Sequence, residues 1–552
     1  MFLKITKNSS GQSYHQVVES YRNDEGKVRQ RILLSLGRVE EGKADLLLEA
    51  LTRHKKSFEA IDLSKDISVD KTYILGPLLL LASLFEKEGI NQVLNDIQIQ
   101  HPKLEIDLKK TVFTMAVSRF VKPCSKLKVF EHWQNIFFSK MLTEDLSLHH
   151  LYRTLDLLAE HKGEIEQALY WKDRDLFNQR SDIVLYDLTT LRFESTEETE
   201  ELRRFGYSKE KRSDCTQVVL GLLISTDGTP LGFEVYPGNT FEGQTLEGMV
   251  EKIRKKFRVR RLIFVADRGL FSSKNLEHLR KDDGEFIVGH RLGSLKKDIK
   301  NQLYDLTKFT WIIEDELAVL ETKTKEGDRL IVSWSKSRSD RDAKTRNDIL
   351  EKIKKKLSSK KATAKKFVSN SNYQKFVKGL DKGSPQLNEE AIAEAVKKDG
   401  FFGIVTNVTS MASREIILNY KELWKIEDAF GEIKGTLKAR PVFHWTDNRI
   451  LGHLTACFLT FYCEVAATKC LREKKIPLKS SLIEEGTIKA RALTVVEALK
   501  ELVEVRAIPV KIREQTVWVR TDISGNAAAI LQAIGCRIPP KVLLIENSNT
   551  DL

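Results

Sequence analysis

The stretch RLIFVADRGLFS, residues 261–272, begins on Arg261, passes through an unbroken apolar run, and reaches Asp267 before turning on Gly269. A short apolar run bounded by charge and glycine reads as a buried strand. It carries a carboxylate to the end of a sheet. An isolated buried charge is costly, so such a carboxylate must be paired or hold a cation. A second aspartate, Asp187, lies inside VLYDLTTL (184–191). If the two strands are neighbours, both carboxylates point into one crevice near the strand ends, where open α/β sheets bind ligands. Taken singly, each aspartate reads equally well as a strand-boundary residue.

A third carboxylate comes from YKELWKIEDAFGEIKGTLKARP (420–441), which the pattern predicts as one helix ending before Arg440 and Pro441. At about 100° per residue, Tyr420, Leu423, Glu427 and Lys434 fall within roughly 60° of one another. Ile426, Phe430, Ile433 and Leu437 form a docking stripe roughly 90° away. Glu427 then sits at the edge of the buried face, able to reach the crevice; alone, it reads equally as an exposed glutamate. Three converging carboxylates would bind one or two hard divalent cations. Such a pair, roughly 3.5–4 Å apart, activates an attacking water or hydroxyl and stabilises the leaving oxygen of an in-line phosphoryl transfer.

The chain has 552 residues, 41% hydrophobic and 31% charged, with 11 prolines and a formal charge of +13. That describes a folded, multidomain soluble protein. Its basic runs, KIRKKFRVRR (252–261) and KIKKKLSSKKATAKK (352–366), suit a polyanion, although each alone is also an ordinary solvated helix face. SKSRSDRDAKTR (335–346) reads either as a DNA-facing surface or as another solvated helix. The six cysteines form no CxxC pair and no zinc-ligand spacing, and reduced thiols fit a cytoplasmic location. YILGPLLLLASLF (73–85) is too short to span a bilayer and LTACFLTFYCEVAA (454–467) is interrupted by Glu464, so both read as core helices. There is no P-loop, hence no sign of ATP dependence.

Along the chain, SYHQVVESYRNDEGKVRQRILLSLG (13–37) predicts a hairpin within an N-terminal β module, 1–62. Residues 63–178 carry helical periodicity in three segments, 75–97, 110–133 and 149–171. Strands return at 182, so the α/β core comprises 179–300 and 399–475. The strand-containing, basic block 301–398 is read as an insertion. The C-terminal region, 476–552, contains a strand pair and a helix.

These residues resemble the DDE-type transposases of bacterial insertion sequences, and more narrowly the group whose signature helix reads Y-x2-R-x3-E-x6-K. Tyr420, Glu427 and Lys434 stand at matching places, and Leu423 replaces the expected Arg. GYSKEKRSDCTQVVLGLLISTDGTPLGFEVYPGNTFEGQTL (206–246), VADRGL (265–270), RPVFHWTDNRILGHLTACFLTFY (440–462), the hairpin ending in SLG and VKPCSK (121–126) also look like this family.

The resemblance implies a ribonuclease H-like α/β fold, a mixed sheet flanked by helices, with a β-rich insertion domain and a helical N-terminal, DNA-binding domain. It implies Asp187, Asp267 and Glu427 as catalytic, metal-binding residues for Mg2+, with Mn2+ able to substitute. Tyr420, Lys434 and Arg268 would contact DNA; Arg268 reads equally as a structural salt bridge. His444 and Trp445 follow the signature helix, His444 as a packing or phosphate-contact residue rather than a general base. The implied partners are double-stranded DNA, both terminal inverted repeats and target, and a second copy on paired ends. The implied function is cleavage at element ends followed by strand transfer. The alternatives are a nuclease without strand transfer and a non-catalytic DNA-binding derivative.

Overall fold

The computed structural model describes residues 2–543 except 24–25, 39–42, 44–66, 70, 139–140, 143–145, 173–181, 200, 208–211, 213, 242–248, 260, 268, 270–272, 282, 295–301, 359–366, 368–370, 380–384, 475–481, 485–486, 490–493 and 513–514. The chain forms two compact units. The smaller comprises Met1–Tyr73, Arg506–Asp522 and Pro539–Thr550, and the larger comprises Ile74–Val505 and Ile523–Ile538.

In the smaller unit, β1 (Phe2–Lys7), β2 (Ser13–Arg22) and β3 (Val28–Gly37) form an antiparallel sheet. The predicted hairpin is β2–β3, and its turn places Gly26 at φ 76°, a conformation glycine adopts without steric penalty. The predicted C-terminal strand pair is also present, as Arg506–Ile512 antiparallel to Gln515–Arg520. The first of these strands also pairs with Ile67–Ser68, far away in sequence.

The larger unit is built on a nine-stranded mixed sheet. Its strands are β4 (Asp182–Arg192), β5 (Gln217–Ser225), β6 (Pro230–Pro237), β7 (Leu262–Ala266), β8 (Glu285–His290), β9 (Thr310–Ile313), β10 (Leu317–Lys323), β11 (Arg329–Ser335) and β12 (Phe401–Thr406). Their spatial order is β9-β10-β11-β12-β8-β7-β4-β5-β6. β4, β7 and β8 run parallel to one another, and every other pairing is antiparallel. Within the block 301–398, Val377–Lys378 and Gln386–Leu387 pair only with each other, whereas β9, β10 and β11 do not form a sheet of their own. They extend this one, because β12 pairs with β8 on one side and β11 on the other.

Side chains alternate between faces along a strand. Val184, Tyr186, Leu188, Leu262, Phe264, Ala266, Phe286, Val288, Leu330, Val332 and Val405 fall into one buried cluster. The opposite parity therefore supplies the other face of the sheet.

Helices cover that scaffold. Each helical segment expected between 75 and 171 is a pair of helices: Gly76–Lys87 with Ile90–Gln100, Leu108–Val121 with Lys126–His132, and α1 (Leu148–Glu160) with Lys162–Trp171. The first pair breaks at Gly89, φ 71°; the second follows Pro123, where Ser125 caps the new helix by accepting from Lys128 N. The apolar pattern continues through each corner, which is why periodicity alone joins them. The later helices include α2 (Lys336–Leu357), α3 (Ser413–Lys421), α4 (Trp424–Lys434) and α5 (Asp447–Glu473), and the expected C-terminal helix is Gly525–Ile534. α5 is the one described helix long and apolar enough to cross a membrane, and 83% of its most apolar window is buried inside the protein. It packs closely on α1: a Cβ on Gly452 would lie 1.9 Å from Leu155 O, so only glycine fits this crossing.

Candidate active site

β4 and β7 are paired in register as Asp182↔Leu262 through Leu185↔Val265. Two residues past the last pair, both strands arrive at an aspartate, Asp187 and Asp267. Their odd parity turns them away from the buried cluster, onto the same face of neighbouring parallel strands about 5 Å apart. Both line one cleft of about 590 Å³, together with Glu427. The apolar runs around each aspartate thus bring Asp267, just past the end of β7, beside Asp187 in the middle of β4.

Glu427 arrives on α4. Ile426, Ala429, Phe430 and Ile433 are buried and dock this helix, while Glu427 is exposed toward the cleft. The expected continuous helix 420–439 is instead the last turn of α3 followed by α4, which ends at Lys434. Between α3 and α4, Leu423 N donates to Tyr420 O and Ile426 N to Leu423 O, tight i→i+3 bonds in place of the α-helical ladder. Tyr420, Leu423 and Glu427 still line the cleft, because the turn re-aims α4 without reversing it. Lys434, two turns further along, is half-buried and is not among the lining residues. Arg268 lies outside the described residues.

Hydrogen bonds fix the carboxylates. Tyr420 Oη donates to Asp267 Oδ1 at 3.2 Å, and Leu188 N donates to Asp187 Oδ1 at 2.7 Å. Tyr420 reaches across β8 because residue 289 is glycine: a Cβ there would lie 2.4 Å from its hydroxyl. Behind Tyr420, the Phe402 ring packs at 5.0 Å between centroids. The donor set suits a hard divalent cation, being all carboxylate and open to solvent.

The wall opposite α4 comes from β11 and the start of α2, through Ser333, Ser335, Ser337, Arg338 and Arg341. The ambiguous segment 335–346 is therefore partly cleft wall. Gly289 and Phe402 escape sequence reading, and the arginines are marked there only as part of that ambiguous segment, since nothing local makes any of them neighbours of Asp267.

Other expected residues serve packing. His444 is buried between Tyr152 and His453; burial, then nearby Lys126 and Arg119, push its pKa down to about 3, so it is neutral. Trp445 is exposed, with the Arg203 guanidinium 4.9 Å from its ring. One further group of described residues gathers metal-type donors: His101, Glu160 and His161. The two ring nitrogens, His101 Nε2 and His161 Nε2, are 2.8 Å apart, a hydrogen-bond length. Two ligands of one tetrahedral ion at about 2.0–2.1 Å would stand roughly 3.3 Å apart. This is a hydrogen-bonded imidazole pair, oriented by Glu164 at 2.9 Å from His161 Nδ1.

The side of α4 turned from the cleft meets α5 through two glutamates. Glu464 on α5 is buried, and burial followed by the neighbouring Glu432 raises its pKa to about 9. It stays protonated when folded and ionises above its ordinary value of 4.5 when unfolded. Its contribution to stability is therefore complete below about pH 4.5 and is lost as pH rises toward 9. Glu464→Gln, which mimics the protonated form, is expected to stabilise the protein at pH 8 by about 1 kcal/mol or more. Thermal melts of both proteins at pH 5 and pH 8 check this; an equal difference at both pH values would contradict it.

The family follows from two matches. The family model "Transposase DDE domain" matches residues 178–462, just over half of the chain, and "IS1634 family transposase, N-terminal domain" matches residues 3–62. The chain belongs to the DDE transposases, the polynucleotidyl transferases that cut and join DNA. It is a transposase of the insertion-sequence type, as the N-terminal match specifies. No curated protein sequence matches the chain. Among solved structures, the piggyBac transposase synaptic complex with hairpin DNA is similar at TM-score 0.35 and 9% identity, over 78% of this chain and 79% of that one.

Proposed function

We propose that the cleft bounded by the middle of β4, the end of β7 and α4 is the catalytic centre, with Asp187, Asp267 and Glu427 holding the divalent metal, Mg2+ or Mn2+. The observation that carries this is the shared register of Asp187 and Asp267 on adjacent parallel strands, with Glu427 lining the same cleft. Adjacent carboxylates repel when ionised, and a cation relieves that repulsion. The order β6-β5-β4-β7-β8, with three antiparallel strands followed by two parallel ones, supports a ribonuclease H-like core. In this reading 179–300 and 399–475 form that core, 301–398 is inserted into it, 63–178 binds DNA, 1–62 is a terminal β module, and 476–552 is a structural region.

When bound, the divalent metal supplies Lewis-acid stabilisation of the charge that grows on the phosphate oxygens. Tyr420 orients Asp267, and the Leu188 amide orients Asp187. The exposed Glu427 lines the same cleft from α4, and Lys434 and Arg268 contact DNA. Hydrolysis at the element end breaks the P–O3′ bond and frees a 3′ hydroxyl. That hydroxyl then attacks a target phosphodiester, forming one P–O bond as another breaks. Two copies on paired ends would join both ends to one target, in the cytoplasm where reduced thiols persist.

The test is cleavage and joining on duplexes carrying the DNA that flanks the coding region, with Mg2+ present. Joined donor–target products are expected. Cleavage without joining would instead indicate a nuclease, and metal-independent binding alone a DNA-binding derivative.

A further inference from the structure

The cleft's second wall carries positive charge. β11 leads directly into α2, and two arginines of its first turns, Arg338 and Arg341, line the cleft with the three carboxylates. α2 is anchored at this end: Gly400 N donates to Asp342 at 3.1 Å, and Arg346 pairs with Asp399. Because β11 and β12 belong to the sheet that carries Asp187 and Asp267, the arginines share a rigid frame with the acidic residues.

The polar contacts that hold the two guanidiniums run through Nε. Arg338 lies over the Phe402 ring at 4.6 Å; Phe402 packs on Tyr420, whose hydroxyl bonds Asp267. Its Nε is buried without a hydrogen bond and forms only a long ion pair with Asp342, at 3.8 Å. A buried guanidinium donor without an acceptor costs free energy, and an incoming anionic oxygen removes that cost. Arg341 spends only Nε, on Ser337 O at 3.3 Å, and its exposed terminal nitrogens point from a cleft-lining position. Across the cleft, Leu423 presents an apolar side chain where the resembled signature carries Arg.

We propose that Arg338 and Arg341 form a phosphate-binding subsite for the DNA backbone next to the scissile bond, supplied from α2 in place of a cation at position 423. The proposal rests on the DNA-cleaving reading of the cleft. A planar fork suits a phosphodiester better than a point charge, and stacking on Phe402 holds one fork in place. Tyr420 then links the subsite mechanically to Asp267, so DNA seated on Arg338 presses on the chain of contacts that orients a metal-binding carboxylate.

Binding of a duplex carrying the flanking DNA is measured by fluorescence anisotropy over a series of salt concentrations, with cleavage followed in parallel. For Arg338→Gln/Arg341→Gln, the slope of log affinity against log salt is expected to shrink by about two, one unit per lost phosphate contact. Affinity at low salt is expected to fall tenfold or more. Arg338→Lys should keep the slope yet lose cleavage rate, and adding Leu423→Arg to the double variant should restore at least one unit of slope. Melting temperatures establish that each variant is folded. A folded double variant with wild-type slope and wild-type cleavage overturns the subsite. Wild-type protein that neither binds nor cleaves the duplex overturns the functional reading itself, and the subsite with it.

Discussion

Replacing Asp187, Asp267 or Glu427 singly by alanine is expected to lower end cleavage and strand transfer by about three orders of magnitude or more. Losing a metal ligand removes several kcal/mol of transition-state stabilisation, and about 1.4 kcal/mol is a tenfold change in rate. Because the three act as one unit, a double variant should be little worse than a single one. Stability should move the other way. Asp187 and Asp267 occupy matching register positions on adjacent strands, so Asp187→Asn removes like-charge repulsion. Without divalent cations, this variant should melt above the wild type. With Mn2+ added, only the wild type should gain stability. A triad variant that cleaves at the wild-type rate, or that gains equally from Mn2+, would remove that residue from the site.

Gly289→Ala should reduce cleavage about a hundredfold, the scale expected when a group that orients the site is displaced by about 1 Å. An added methyl would meet Tyr420 Oη at 2.4 Å and Cζ at 3.2 Å, so the ring must withdraw and its bond to Asp267 must break. Glycine in a strand is ordinarily a weakness and often marks close approach by another group; here that group is a tyrosine side chain. Tyr420→Phe removes the colliding oxygen. Gly289→Ala/Tyr420→Phe should therefore cleave no worse than Tyr420→Phe alone, which should lose only about tenfold, the worth of one hydrogen bond. Additive losses in the double variant would show that Gly289 acts through something other than Tyr420.

The carboxylates were legible because their surroundings are simple. VLYDLTTL and LIFVAD each announce a buried strand interrupted by charge, and helical arithmetic puts Glu427 beside an apolar stripe. The matching register of Asp187 and Asp267 was not legible, since it depends on which strands pair. The break at Glu422–Leu423 was hidden as well, because both residues keep helical dihedrals while the hydrogen bonds tighten. Gly289 stayed invisible, and Arg338 was legible only as part of the ambiguous segment 335–346, for a different reason. Their importance comes from Tyr420 and Phe402, partners more than sixty residues away that only the sheet order brings near. The union of Met1–Tyr73 with Arg506–Asp522 in one unit likewise rests on strand pairing between distant segments.

The central claim is that a divalent metal binds between the middle of β4 and the end of β7, and mapping by iron tests it most directly. Protein loaded with Fe2+ and treated with ascorbate and peroxide is cut by hydroxyl radicals close to the bound ion, and the fragments are identified by mass. The expected cuts lie near residues 187, 267 and 420–427, are suppressed by excess Mg2+, and vanish in Asp187→Asn. Cuts that persist in that variant, or that fall instead around His101 and His161, would contradict the assignment.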